Sequence, residues 1–196
     1  MSNSCWIKPL RKILNPLIPA SLPHRLNQSL RLAFLGIGNE LNGDDAAGVQ
    51  VVRSLHQYLD RRCAFTPDKL AREPYILRDG RLELLLLEGG AAPEAFTGPL
   101  RRFDPDWVIL VDAASFDAEP GTVMWLDWTA ADGMSASTHI LPPTILSKYL
   151  INELGCRVAL IGIQPLAVDF DTPMSHPVIQ GVESAVDLLG ETLVGP

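Results

Sequence analysis

The chain has 196 residues, which is about the length of one domain, and its 47% hydrophobic residues can bury a single sizeable core. Its formal net charge of −7 argues against a general nucleic-acid binder, and no apolar run reaches the ~18 residues that a membrane span requires. Three cysteines without a C-x-x-C pair indicate neither a disulfide framework nor a structural zinc site, so we expect a reducing, cytoplasmic location.

The first predicted region is a basic, proline-punctuated N-terminal arm, residues 1–31, which precedes a single predicted domain at residues 32–196. The arm contains five basic residues and no acidic residue. Its apolar residues recur at helical spacing, although four prolines limit any helix to about two turns. Such an arm can pack on its own domain, stay mobile, contact a partner or a membrane surface, or act as a transit peptide. The sequence leaves these alternatives open.

From residue 32 onward, short apolar runs alternate with segments of helical periodicity. The predicted strands are residues 32–37, 82–87, 108–111, 123–128 and 158–163. The predicted helices are residues 46–59, 145–154 and 178–189. Residues 60–81, which are polar and contain Pro67, Pro74 and Gly80, are predicted to form an excursion between the first helix and the second strand. This order predicts an α/β three-layer sandwich, with a mainly parallel five-stranded sheet flanked by helices.

Three residues with metal-binding side chains follow or neighbour the predicted strands. Asp45 closes the glycine-rich turn after the first strand, Asp112 ends the third strand, and His139 lies in a polar loop. Because functional groups of a parallel sheet gather at the carboxyl ends of its strands, we expect these side chains to meet. Two carboxylates and an imidazole suit a divalent transition metal and leave positions open for water or substrate. Taken singly, each could instead be a helix cap or an ordinary polar loop residue.

The glycine-rich turn after the first strand has simpler interpretations as well. Gly36 and Gly38 after a strand resemble a dinucleotide-binding fingerprint, but Leu41 stands where a third glycine is required. A nucleotide phosphate site is therefore not indicated. The tandem Asp44 and Asp45 can also stabilise the positively polarised start of the following helix, and this is the preferred interpretation for Asp44.

Five groups of short motifs occur in one order between residues 32 and 190. They are residues 36–48, residues 88–94, residues 111–114, residues 137–139, and residues 161–165 with 172–177. Together they resemble the hydrogenase maturation endopeptidases, most closely the branch that processes hydrogenase 3, the formate-hydrogenlyase type. The resemblance places the family's metal-binding acid at Asp45, its second acid at Asp112 and its histidine at His139.

The resemblance implies an aspartyl endopeptidase-like protein that removes the C-terminal extension of a nickel-iron hydrogenase large-subunit precursor after nickel insertion. It further implies that Asp45, Asp112 and His139 are catalytic and metal-binding residues. The precursor would supply the nickel, for which another divalent metal can substitute. No Ser–His or Cys–His nucleophile is apparent in the sequence. A non-proteolytic nickel-binding maturation factor and a peptidase of the same fold with a different substrate remain as alternatives.

Five further residues are predicted to contact the substrate. They are Gly38, Asn39, Gly89, Gly90 and Gln164. Gly89 and Gly90 allow a close approach of an extended substrate backbone, and Gln164 offers a polar contact, although a turn or a core-edge position explains these three residues equally well. The expected partner is the hydrogenase precursor, without nucleic acid, and the expected oligomeric state is a monomer.

Overall fold

The structure is a computed structural model that describes residues 4–14, 29–62, 74–77, 81–127 and 143–195. The strands are β1 (Leu30–Ile37), β2 (Tyr75–Leu77), β3 (Leu82–Gly90), β4 (Trp107–Ala113), β5 (Val123–Asp127) and β6 (Arg157–Ile163). The α-helices are α1 (Lys8–Leu14), α2 (Ala47–Arg62), α3 (Thr97–Phe103), α4 (Pro143–Leu154) and α5 (His176–Val194). Short 3-10 turns precede three of these helices, at Ser4–Ile7, Gly43–Ala46 and Pro93–Phe96. The predicted α/β sandwich is confirmed.

The six strands form one sheet in the order β2-β3-β1-β4-β6-β5. The four central strands β3, β1, β4 and β6 are parallel, whereas β2 and β5 pair antiparallel at the two edges. After β1 the chain builds β3 on one side, and it then crosses to the other side of β1 to form β4. The strand order therefore reverses between β1 and β4, which is where open parallel sheets form their ligand sites.

The prediction of five strands was wrong by one strand, which lies inside the predicted excursion. β2 spans only Tyr75–Leu77, directly after Pro74, and it pairs with the start of β3. Tyr75 and Leu77 are buried, so this short edge strand extends the core. Three residues are too few for an alternating pattern to stand out from a polar segment. The other residues of the excursion after α2, 63–73 and 78–80, lie outside the described residues.

Helices cover both faces of the sheet and create two hydrophobic layers. Alternate residues of β1 belong to different layers, with Leu32 and Phe34 on one face and Ala33 and Leu35 on the other. Helices α1, α2 and α5 supply the layer that contains Phe34, and α3 and α4 supply the layer that contains Leu35. Burial on both faces explains why the central strands are continuously apolar rather than alternating.

The described part of the N-terminal arm packs on the domain that follows it. Trp6, Ile7, Leu10 and Leu14 are buried in the same hydrophobic cluster as α5. Residues 4–14 therefore follow the alternative in which the arm packs on its own domain. Contact of the arm with a partner or a membrane stays a prediction. β1 starts at Leu30, two residues before the predicted start of the domain. Among the described helices, none combines the length and the apolar composition needed to cross a membrane.

Candidate active site

Asp45 and Asp112 meet at the point where the strand order reverses. Asp45 lies on the turn Gly43–Ala46 that follows β1. Asp112 is the penultimate residue of strand β4. Their exposed fractions are 0% and 2%, so both carboxyl groups are withdrawn from water. The two groups are close enough for the negative charge of Asp45 to raise the pKa of Asp112. The fold thus brings together two acids that are far apart in the sequence.

The carboxylate of Asp45 is only half satisfied. Its Oδ2 accepts a hydrogen bond of 2.9 Å from the backbone N–H of Asn39. Its Oδ1 is buried and has no hydrogen-bond partner among the described residues. Burial raises the pKa of Asp45, and the hydrogen bond from Asn39 opposes that rise. An oxygen that is buried without a donor requires an explanation, because such a group costs free energy unless a proton or a cation compensates it.

Asp112 has the more strongly perturbed pKa of the two acids. Burial raises its pKa to about 8, with a further upward contribution from the charge of Asp45 and a downward one from a backbone hydrogen bond at Ala113. Two neighbouring carboxyl groups in a dry site cannot both ionise at neutral pH without compensation. A bound divalent cation would supply that compensation, so this pair of oxygen donors fits a metal. His139 lies outside the described residues, within which no three His, Cys, Asp or Glu side chains form a metal-binding group.

Glycines allow the backbone to hold the turn of Asp45 directly against the sheet. Gly38 has a φ of 133°, and a Cβ on it would lie 1.7 Å from the carbonyl oxygen of Asp45. A Cβ on Gly48, in the first turn of α2, would lie 2.1 Å from the carbonyl oxygen of Val111 and 2.4 Å from that of Ile37. The start of α2 therefore contacts the backbones of β1 and β4, and these contacts place Asp45 beside Asp112.

Asp44 has a structural role, although its partners differ from the prediction. Its buried carboxylate accepts four hydrogen bonds: from Leu166 N (2.8 Å), Ala167 N (3.0 Å), Ser175 N (2.6 Å) and Ser175 Oγ (2.9 Å). All four donors belong to the segment between β6 and α5, which we call the β6–α5 loop, residues 164–175. The described hydrogen bonds of Asp44 are thus made with this distant loop, while a favourable interaction of its charge with the start of α2 stays a prediction.

The residues predicted to contact substrate make hydrogen bonds or close contacts within the protein itself. Gln164 Oε1 accepts a hydrogen bond of 2.8 Å from Phe116 N, which fits the core-edge alternative. Asn39 Oδ1 accepts one of 3.0 Å from Leu41 N and closes a local turn. A Cβ on Gly89 would lie 2.7 Å from a methyl group of Leu35. Gly90, with a φ of 60°, accepts a hydrogen bond from Gly38 N. Contact of these residues with substrate stays a prediction.

The sequence analysis missed Arg53, which contacts residues at the same edge of the sheet as Asp45. From α2, its guanidinium reaches Glu40 after β1 and Glu88 near the end of β3, with 2.7 Å between Nη2 and Glu88 Oε2. The hydrogen bond from Arg53 lowers the pKa of Glu40. Glu40 directly follows Asn39, whose N–H binds Asp45, so Arg53 links the turn of Asp45 to the neighbouring strand. No local pattern signals a side chain with two partners this far away in the sequence.

Comparisons with known proteins identify relatives of this chain. Residues 68–192 match the family model of the hydrogenase maturation proteases. A proposed hydrogenase maturation protease of Methanocaldococcus jannaschii is 32% identical over 87% of this chain and 90% of its own length. The hydrogenase 3 maturation protease of Escherichia coli K12 is 29% identical over 80% of this chain and 86% of its own length.

A solved structure shares the fold over nearly the same range. The crystal structure of the NiFe hydrogenase maturation protease HycI from Thermococcus kodakarensis superimposes with a TM-score of 0.67 at 31% identity. The superposition covers 86% of this chain and 96% of that protein. The resemblance seen in the sequence motifs is thus confirmed by a family model, by relatives and by a structure. This chain belongs to the hydrogenase maturation protease family, and it is a hydrolase of the peptidase class.

Proposed function

We propose that this protein removes the C-terminal extension of a nickel-iron hydrogenase large-subunit precursor after nickel insertion. In this proposal Asp45, Asp112 and His139 recognise the nickel that the precursor carries. The observation that supports it is the buried pair of Asp45 and Asp112, in which Asp45 Oδ1 has no partner among the described residues and the pKa of Asp112 is raised to about 8. Two buried acids of this kind would bind a divalent cation that another molecule carries, because the cation compensates their negative charge.

The charge of the pair explains how loaded and empty precursors are told apart. In the absence of a cation, Asp112 keeps its proton at neutral pH because a second buried negative charge beside Asp45 is unfavourable. A precursor that brings a divalent ion allows both carboxylates to ionise and bind, whereas an empty precursor offers no such compensation. Carboxylate oxygens and imidazole nitrogen are acceptable nickel ligands and would add to those that the precursor provides.

The same residues can orient and assist hydrolysis. Asn39 N–H holds Asp45 Oδ2, and Oδ1, which has no partner among the described residues, is the oxygen that would bind an incoming ligand. Nickel bound at this pair would fix the neighbouring peptide bond of the precursor and polarise its carbonyl group. An ionised carboxylate of the pair can take a proton from the attacking water and return it to the departing amine. No separate Ser or Cys nucleophile is needed for this reaction.

A processing assay with the full-length precursor tests the proposal. Purified protein is incubated with nickel-loaded and with nickel-free precursor, and the intact mass of the precursor is followed by mass spectrometry. We expect loss of the C-terminal extension only from the loaded form. Binding of nickel-loaded precursor without any loss of mass would instead identify a non-proteolytic maturation factor. Cleavage of a nickel-free peptide in the presence of a chelator would identify a peptidase with another substrate.

A further inference from the structure

Four large apolar side chains are exposed to solvent beside the turn of Asp45. Their exposed fractions are 59% for Leu41, 60% for Leu166, 37% for Val168 and 73% for Phe170. Leu41 follows β1, and the other three belong to the β6–α5 loop. We call these four residues the apolar rim.

Backbone contacts join the two loops that form the apolar rim. The N–H of Asp171 donates a hydrogen bond of 2.7 Å to the carbonyl oxygen of Leu41. The next residue pair, Asn42 and Thr172, forms an isolated parallel β-bridge. These backbone contacts hold Leu41 next to the segment that carries Phe170, so the two exposed side chains stand on adjoining loops.

Asp44 fixes the apolar rim relative to the acid pair. Its carboxylate accepts hydrogen bonds from Leu166 N and Ala167 N, and its own N–H donates one of 3.1 Å to Ala167 O. Because Asp45 is the next residue in the chain, the position of the rim and the position of the acid pair are set by the same turn. A surface held in this way presents its apolar side chains at a defined place beside the site.

Exposure of these side chains contributes nothing to the stability of the isolated protein. Each exposed apolar side chain forgoes the burial that would stabilise it, and a cluster of several on one surface is typical of an interaction site rather than of chance exposure. Ile76, with an exposed fraction of 54%, shows the ordinary case, because it stands on the edge strand β2 between two residues whose side chains are buried. The β6–α5 loop also contains the exposed acids Asp169 and Asp171 and no basic residue.

We propose that the apolar rim is the docking surface for the body of the hydrogenase precursor, at an apolar patch bordered by basic residues. This inference rests on the proposed function, because it assigns the partner of that same site. The basic border is expected from the two acids within the loop and from the net charge of −7. The rim supplies affinity that does not depend on the metal, whereas Asp45 and Asp112 supply the preference for a loaded precursor.

Affinity measurements with both forms of the precursor test this division. Phe170→Ser and Leu166→Ser change exposed residues, and Ile76→Ser is the matched control at the far edge of the sheet. Biolayer interferometry with immobilised full-length precursor should show a loss of about tenfold or more for each rim variant, by the same factor for loaded and empty precursor. Ile76→Ser should bind like wild type. In the processing assay the rim variants should raise KM by that factor and leave kcat within about twofold.

The outcomes separate the docking surface from the proposed function. Rim variants that bind both precursor forms as tightly as wild type would refute the docking surface even if cleavage is confirmed. Sedimentation velocity that shows a wild-type dimer dissociated by Phe170→Ser, with unchanged precursor affinity, would assign the rim to self-association and refute it too. Rim-dependent binding without cleavage would support the docking surface and refute the peptidase role. A wild-type protein that binds neither precursor form would refute both.

Discussion

Two adjacent residues, Asp44 and Asp45, belong to regions with opposite properties. The carboxylate of Asp44 accepts four hydrogen bonds, which join the turn after β1 to the β6–α5 loop. Among the described residues, the carboxylate of Asp45 has one donor and a buried oxygen without a partner, and a second acid, Asp112, lies close by. Both are buried aspartates on one short turn, so residue type and burial do not distinguish them. Hydrogen-bond satisfaction does: the satisfied acid maintains the structure, and the unsatisfied one is suited to function.

The largest expected effect is the loss of cleavage when either acid of the buried pair, Asp45 or Asp112, is replaced. Asp45→Ala and Asp112→Ala should each reduce cleavage of nickel-loaded precursor by about a thousandfold or more, because in the proposed function each removes a group that meets the substrate's metal or the reacting water. His139→Ala should behave alike, because the proposed function gives His139 the same role towards the metal. Initial rates from mass spectrometry measure the loss, and Glu183→Ala, an exposed acid on α5, is the control. A variant that cleaves at the wild-type rate would remove its residue from the site.

The second-largest expected effect is a loss of stability when Asp44, the hydrogen-bonded acid, is replaced. Asp44→Ala leaves three backbone donors and the hydroxyl of Ser175 without their acceptor, so the free energy of unfolding should fall by about 3 kcal/mol or more. Asp45→Ala should cost much less, since it removes one hydrogen bond together with an uncompensated buried oxygen. Urea denaturation of both variants gives the comparison. Equal losses would mean that hydrogen-bond satisfaction does not separate the two residues.

The pH dependence of stability sharpens the comparison further. Because the pKa of Asp112 is about 8 in the folded state and ordinarily 3.8, the folded protein holds a proton that the unfolded chain releases between these values. Stability should therefore decrease as pH rises from about 4 to about 8 in the absence of metal. Asp112→Asn removes this contribution, so its melting temperature should exceed that of wild type at pH 8 and approach it towards pH 5. Scanning calorimetry with a chelator present measures both profiles, and parallel profiles would contradict the assignment.

The smallest expected effect lies at Arg53, whose partners are on the surface. Arg53→Met removes its contacts with Glu40 and Glu88, yet these side chains are partly solvated, so the stability change should stay below about 1 kcal/mol. The change should shrink further in high salt. Thermal denaturation at low and high salt tests this, with Arg101→Met, which loses a bridge to Glu153 on the opposite layer, as the control. A loss of several kcal/mol would show that Arg53 is a principal support of the Asp45 turn.

Much of the fold could be predicted because its signals are local. Continuous apolar runs identified the central strands, and the alternation of strands with helices predicted the parallel sheet that brings Asp45 and Asp112 to one edge. The strand Tyr75–Leu77 was missed because three residues are too short for periodicity to register. The partners of Asp44 were missed because they lie more than 120 residues away in the sequence. Hydrogen-bond satisfaction depends on such long-range contacts, so it is visible only in the folded chain.

The close contact at Gly48 determines which substitutions can alter the spacing of the acid pair. The carbonyl groups of Ile37 and Val111 approach this residue so closely that only a hydrogen atom fits there. Peptide groups, rather than side chains, therefore set the separation between the turn of Asp45 and the strand of Asp112. Substitutions among the apolar residues under α2 can therefore raise or lower the stability of the fold while the spacing of the two acids is preserved. A methyl group at position 48, by contrast, would wedge the two supports of the acids apart.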